Sequence, residues 1–123
     1  MTFIPGVYKL IIPQRATLEE GPIWLPFDGT GVQFYASVWT SDKRATKLFD
    51  LEVIVDAAVI VGDDPENPLS EECKIRLRAD WDVTRAVTKN GYWDLLAVWP
   101  NGDRQYCLEG LAVTNFNVTE APP

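Results

Sequence analysis

Short segments in which apolar and other residues alternate run along most of the chain. The clearest is Val32–Trp39, where Val32, Phe34, Ala36 and Val38 occupy every second position. A period of two is typical of a strand with one buried face. We therefore expect these four side chains to point into a core and the residues between them to point outward.

Gly, Pro, Asp and Asn divide the chain into a series of such segments, each rich in Val, Ile, Tyr, Phe or Trp. Many short strands at this spacing indicate an all-β sandwich or barrel. Pro13, which cannot donate a ladder hydrogen bond, ends the first strand and favours an edge position for it. The predicted strands are Val7–Ile12, Gly21–Pro26, Val32–Trp39, Leu48–Val55, Ala57–Val61, Cys73–Arg78, Tyr92–Val98 and Arg104–Val113, with a last extended stretch over Thr114–Thr119.

Two connections carry distinct local signals. The Asn-Gly dipeptide within Pro100–Asp103 predicts a tight hairpin between the last two strands. Asp82–Lys89 is the one segment with helical character, with Asp82 as its cap and Asn90-Gly91 as its end. We expect one short helix in an otherwise all-β chain.

The length of 123 residues fits one domain, and a hydrophobic fraction of 46% is enough for one core without a metal or disulfide scaffold. We therefore predict a single domain over residues 1–123. The proline-containing ends, Met1–Pro5 and Thr119–Pro123, are predicted to be extended tails that become ordered against neighbouring subunits.

The formal net charge of −7 disfavours binding to nucleic acid or to anionic lipid, since both are negatively charged. No apolar run approaches the roughly 20 residues of a membrane span, and Met1–Pro5 lacks the features of a signal peptide. We expect a protein made in a cytoplasm, with other proteins as partners.

The chain contains no histidine, which excludes the common Ser-His-Asp and Cys-His mechanisms and imidazole ligation of metals. Asp63, Asp64 and Glu66 could offer oxygen ligands to calcium, but without EF-hand spacing a solvated loop is the simpler interpretation. Asp50 and Glu52 could form an acid–base pair, although exposed strand charges are more usual. We predict no enzyme activity, no catalytic residue, no cofactor and no metal.

Cys73 and Cys107 are the only cysteines and lack Cys-x-x-Cys spacing. Two buried free thiols and a single bridge between paired strands are both compatible with the sequence.

Five tryptophans exceed what so small a core needs, and exposed Trp is enriched at interfaces. Along Tyr92–Val98 and the residue after it, bulky apolar groups fall on both faces, so a partner could cover one of them. Core packing and a sugar-stacking platform are the alternatives for these residues. The predicted protein interface comprises Trp93, Trp99, Leu96, Val98, Trp39 and Tyr35.

Several segments together resemble the N-terminal domains of baseplate upper proteins of tailed bacteriophages. A tyrosine-led strand followed by Gln-Gly-Ala-Thr is similar to Gly6–Thr17, and an Asp-x-Thr-Gly turn before a strand is similar to Asp28–Val38. Gly91–Leu95, Leu108–Val113 and Val118-Thr119 resemble the later strands of such domains. The resemblance covers nearly the whole chain.

Arg15 stands where these domains usually have glycine. The resemblance implies an immunoglobulin-like antiparallel β-sandwich that docks on tail, baseplate or neck components of a virion. It also implies several copies per particle, with homo-oligomers as one arrangement. The expected function is that of a non-enzymatic virion structural or adaptor protein located in the virion. A capsid decoration protein and a carbohydrate-binding receptor-recognition module are the alternatives.

Overall fold

The computed structural model describes residues 6–41, 43–44, 46–61, 71–85, 87 and 89–115. The described chain is all-β with one short helix. Its elements are β1 (Gly6–Val7), β2 (Leu10–Pro13), β3 (Leu18–Leu25), β4 (Gln33–Trp39), β5 (Lys47–Val61), β6 (Glu71–Ala79), α1 (Trp81–Thr84), β7 (Gly91–Val98) and β8 (Arg104–Asn115). The predicted tails and the Asp63–Glu66 loop lie outside the described residues.

The eight strands form one curled sheet in the order β1-β8-β7-β4-β5-β6-β3, with β2 also on β8. β5 connects its two halves, because residues 47–51 pair with β4 and residues 52–61 pair with β6. The sheet curls into a half-barrel, and both halves contribute to one core. Leu10, Val38 and Leu95 come from one half, and Ile75 and Leu77 from the other, all fully buried.

The two strands predicted over Leu48–Val55 and Ala57–Val61 are one strand, β5. Its register with β6 shifts between Val55 and Ala57 and again between Ala57 and Ile60. A bulge adds an unpaired residue and moves later side chains to the other face. The alternation therefore breaks at this point although the strand continues.

The first strand is also different from its prediction. It is broken at Tyr8 and Lys9, and both β1 and β2 run parallel to β8, so a purely antiparallel arrangement is wrong at this edge. The Tyr8 carbonyl approaches the sheet so closely that a Cβ on Gly110 would lie 2.3 Å from its oxygen. That oxygen accepts a 2.6 Å hydrogen bond from Nε1 of Trp93. Glycine at position 110 thus lets the N-terminal segment pack over β7 and β8.

The helix is shorter than predicted and begins earlier. Asp80, not Asp82, is its N-cap, with extended backbone angles and a carbonyl that accepts from the amides of Val83 and Thr84. The Asp80 side chain bonds Arg78 instead of capping. Asp82 lies in the first turn, where a negative charge is favourable.

Other local predictions are confirmed. The hairpin at Pro100–Asp103 joins β7 to β8, with Gly102 at φ +94°. Ala36 and Val38 of β4 are buried, as are the alternating side chains at the centre of β6. The strand predicted at Gly21–Pro26 begins earlier, because Leu18–Glu20 also pairs with β6 before a register shift.

The turn between β2 and β3 is held against the segment that follows α1. Thr84 Oγ1 donates to the Ala16 carbonyl at 2.7 Å, and Gln14 Nε2 donates to the Val87 carbonyl at 2.7 Å. Arg15 has φ +64° within this turn. A left-handed backbone favours glycine, so Arg15 adopts a conformation that side chains rarely take.

Candidate functional site: the aromatic face

The outward side of β4, β7 and β8 carries large side chains in rows across the strands. In one row Tyr35, Leu96 and Tyr106 are register partners, and two rows further along Trp39, Tyr92 and Leu111 are. The row between them is polar and consists of Ser37, Asp94 and Glu109. We call this surface, together with Val98, the aromatic face. It is built on the part of the sheet whose inner side forms the core, so its side chains are held on a rigid support.

The aromatic face exposes much of its apolar area to solvent. Leu111 is 61% exposed, Tyr35 53% and Tyr106 40%. Val7 and Ile11, which pair with the outward positions of β8, are also exposed and extend the surface to the edge of the sheet. Several large exposed apolar side chains on one side of a sheet are characteristic of interaction sites.

Arg44, from the β4–β5 connection, lies over the centre of the aromatic face. Its guanidinium forms an ion pair with the buried Asp94 and lies 3.5 Å from Glu109. It also lies 4.7 Å from the ring centroid of Tyr106 and 5.7 Å from that of Tyr92. The hydrogen bond to Asp94 raises the pKa of Arg44. Arg44 thus holds two strands and two tyrosines together.

A second polar pair lies at the β5 side of the face. Asp50 accepts a 2.9 Å hydrogen bond from Ser37 and lies 3.1 Å from Lys47. These bonds lower the pKa of Asp50. Glu52 lies 3.9 Å from Arg78, so the two carboxyls have different partners, as exposed strand charges usually do.

The charges on this side of the sheet balance. Among the described residues on the paired strand positions of this side, together with Arg44 above them, the basic groups are Arg44, Lys47 and Arg104, and the acidic groups are Asp50, Asp94 and Glu109. These six charges cancel, although the whole chain has a net charge of −7.

A shallow groove of about 380 Å³ lies at one end of the face. Its lining includes Tyr92 and Leu111 of the face and Thr40, Ser41 and Asn90 of the connections beside it. The groove makes the surface concave beside the start of β7.

The structure separates the six residues that the sequence placed at an interface. Tyr35 is exposed on the aromatic face, and Leu96, Val98 and Trp39 are half-buried there. Trp93 is fully buried on the opposite side of β7, so in this structure it packs in the core and not on the exposed surface.

Trp93 can lie in the core because the single hydrogen-bond donor of its side chain has a partner there. Its ring packs edge-to-face on Tyr8 at 6.0 Å, and its Nε1 donates to the Tyr8 carbonyl. Trp99 is half-buried and packs against Phe27, with ring centroids 5.2 Å apart. Neither tryptophan contributes to the aromatic face.

Sequence reasoning missed Tyr106, Leu111 and Arg44. The β7–β8 register shifts between Leu95 and Leu96, so Cys107 is an extra residue and the outward positions of β8 do not follow one period. An unbroken alternation would place Tyr106 and Leu111, five residues apart, on opposite faces, and only the bulge brings them to the same one. No local pattern indicates that Arg44, in a connection, folds back over the sheet.

The outward side of β3, β6 and the second part of β5 has a different character, and we call it the charged face. Arg76 lies 2.8 Å from Asp56 and also pairs with Glu19. Arg78 pairs with Asp80 at 2.7 Å, and Glu52 lies 3.9 Å away. Basic and acidic side chains thus alternate across these strands in contact with water.

The tryptophans do not form a sugar-stacking platform in the described part of the chain. Trp24 and Trp81 are about half-exposed, but Trp24 pairs with Lys74 while Trp81 follows the far end of β6. Seven residues of strand separate these positions, or roughly 23 Å. Each ring has its own cation instead, Lys74 at 5.6 Å and Arg85 at 5.7 Å.

Both cysteines are buried free thiols, so the bridged alternative is not formed. Burial raises the pKa of Cys73 to about 11 and that of Cys107 to about 12.

Among the described residues, no group of three or more His, Cys, Asp or Glu side chains is arranged to hold a metal ion. That same part of the chain contains no helix long and apolar enough to span a membrane.

No protein-family model matches the chain, and no curated protein matches it either.

Proposed function

We propose that the protein is a non-enzymatic structural or adaptor subunit of a bacteriophage virion, which docks on tail, baseplate or neck components through the aromatic face. The observation that carries this proposal is the exposure of Tyr35, Tyr106 and Leu111 on the same side of one sheet. Burial of such a surface against a protein partner is favourable at about 25 cal/mol per Å² of apolar area.

The composition of the face suits recognition between proteins. Tyrosine and arginine are enriched among the residues that dominate binding energy, and here Arg44 is fixed between Tyr92 and Tyr106 before a partner arrives. Side chains that are already ordered lose little entropy on binding. The half-buried Leu96 and Val98 supply further apolar surface.

We also propose that the half-barrel is an immunoglobulin-like sandwich. The order β4-β7-β8 corresponds to strands C, F and G of that fold, and the order β5-β6-β3 corresponds to D, E and B. The passage of β5 from one half to the other explains why the sheet is continuous. An experimental structure with two faces packed about 10 Å apart supports this assignment, and a closed barrel contradicts it.

The functional proposal is tested on particles of the phage or prophage that encodes the chain. The gene is deleted and supplied from a plasmid, and purified heads and tails are separated and quantified by mass spectrometry. We expect the chain in the tail fraction in several copies per particle. Recovery with heads alone assigns capsid decoration instead, and absence from purified particles contradicts a virion role.

A further inference from the structure

Two asparagines of the chain, Asn90 and Asn101, are followed directly by glycine, at Gly91 and Gly102. Glycine has no side chain to hinder ring closure onto the preceding asparagine, so both pairs are suited by sequence to spontaneous deamidation. We infer that Asn101 is a deamidation site of the folded protein and that the fold protects Asn90. This inference is independent of the proposed function.

The reaction needs only water and groups of the chain itself. At the first site, the backbone nitrogen of Gly102 loses its proton to hydroxide and attacks Cγ of Asn101. The bond from Cγ to Nδ2 breaks, and Nδ2 takes up a proton and leaves as ammonia. Water then opens the resulting cyclic succinimide at either carbonyl, which gives aspartate or isoaspartate. The net change replaces the neutral amide with a carboxylate, which is ionised at neutral pH.

The hydrogen bonds that restrain Asn101 are local to the hairpin. Its Oδ1 accepts from the amide of Asp103 at 2.9 Å, and its Nδ2 donates to Asp103 Oδ2 at 3.1 Å. The attacking nitrogen, that of Gly102, donates to the Trp99 carbonyl at 2.9 Å. All of Asn101, Gly102 and Asp103 are exposed, and a Cβ on Gly102 would meet no atom of the described chain within 4 Å. Exposed loop tips of this kind open at low free-energy cost.

Asn90 is also exposed, but its restraints come from the sheet. Its Oδ1 accepts a 2.8 Å hydrogen bond from the amide of Thr114 on β8, 24 residues further along the chain. The attacking nitrogen here belongs to Gly91, which pairs with Ala112. A Cβ on Gly91 would lie 2.2 Å from the carbonyl oxygen of Trp39, so this backbone is packed closely against β4. Reaction at Asn90 therefore requires contacts between β4, β7 and β8 to open, which costs more than fraying of a hairpin tip.

Peptide mapping by mass spectrometry tests the inference, with each asparagine as the control for the other. The purified chain is incubated in mildly alkaline heavy-oxygen water, folded in one sample and unfolded by urea in a second. Incorporated heavy oxygen marks deamidation that occurs during the incubation. The rate at each site in urea gives its intrinsic reactivity, and the folded rate is divided by it. We expect this ratio to be at least about tenfold larger for Asn101 than for Asn90.

Circular dichroism at the end of the incubation shows that the first sample is still folded. Equal ratios at the two sites, or a larger ratio at Asn90, overturn the inference, because the contacts of the sheet then give no extra protection. An Asn101 that stays unmodified in the folded protein while the unfolded sample reacts to completion also overturns it, because the hairpin tip is then as well protected as the sheet.

Discussion

The two outward faces of the sheet use charged residues in opposite ways. On the charged face, Arg76 and Arg78 form their ion pairs in contact with solvent. On the aromatic face, Asp94 is buried beneath Arg44, and the exposed surface around this pair consists largely of tyrosine and leucine. Water therefore solvates the polar groups of the charged face well, whereas on the aromatic face it is in contact with large apolar side chains.

This difference shows that the residues on each face of the sheet indicate a docking surface better than the overall composition of the chain does. A net charge of −7 suggests an acidic surface throughout. The structure instead gives one face with exposed aromatic groups and balanced charges and one face with alternating charges. The charged face also exposes Trp24, but covering that face desolvates the ion pairs of Arg76 and Arg78, which opposes burial.

The largest expected effect is on the inner side of β7. Trp93→Ala should lower the free energy of unfolding by about 4 kcal/mol, because it leaves a cavity in the core and removes the partner of the Tyr8 carbonyl. Tyr35→Ala, on the aromatic face, should lower it by less than about 1 kcal/mol. Urea unfolding of both variants measures the difference, and equal losses contradict the assignment of Trp93 to the core.

The next effect compares the ion pairs of the two faces. Asp94→Ala should cost about 2 kcal/mol of stability, somewhat less than for a fully buried pair because the side chain of Arg44 remains 29% exposed. A double-mutant cycle with Arg44→Ala should show clear coupling. The matched cycle for Asp56 and Arg76 on the charged face should show weaker coupling. A stronger coupling on the charged face contradicts the distinction between the faces.

The smallest expected effect is the change in stability at low pH that comes from one carboxylate of the charged face, Asp56. The hydrogen bond from Arg76 lowers the pKa of Asp56. The stabilisation from this carboxylate is therefore present above its unfolded pKa of about 3.9 and is lost as the pH falls through the lower folded value. Asp56→Asn should be slightly less stable than the wild type at neutral pH and should approach it in acid. Urea unfolding at several pH values tests this, and a difference that does not shrink below about pH 4 contradicts it.

Much of the fold was predictable from alternation and turn residues, because these signals are local. The β4 face, the centre of β6 and the hairpin at Pro100–Asp103 follow directly from them. The continuity of β5 and the parallel pairing of β1 with β8 were not predictable. Both depend on register and on contacts between residues far apart in sequence.

The candidate site was predictable only in part for the same reason. Tyr35, Leu96 and Val98 lie on strands with a regular period, so their shared face could be inferred. The side of β7 that carries Trp93 has a similar apolar character, and its burial depends on packing against the N-terminal segment and the other half of the sheet, which no local pattern indicates. Leu111 and Tyr106 were missed because the bulge at Cys107 changes the period between them.

The most direct test of the aromatic face as the docking surface is a comparison of copies per particle for Tyr35→Glu and Trp24→Glu. The two aromatic side chains are similarly exposed, at 53% and 50%, but Trp24 lies on β3, outside the aromatic face. Both variants should remain folded, since each substitution is at an exposed strand position. We expect Tyr35→Glu to reduce the copies retained in purified particles at least about tenfold and Trp24→Glu to leave them at the wild-type number. Full retention of Tyr35→Glu with loss of Trp24→Glu contradicts the account.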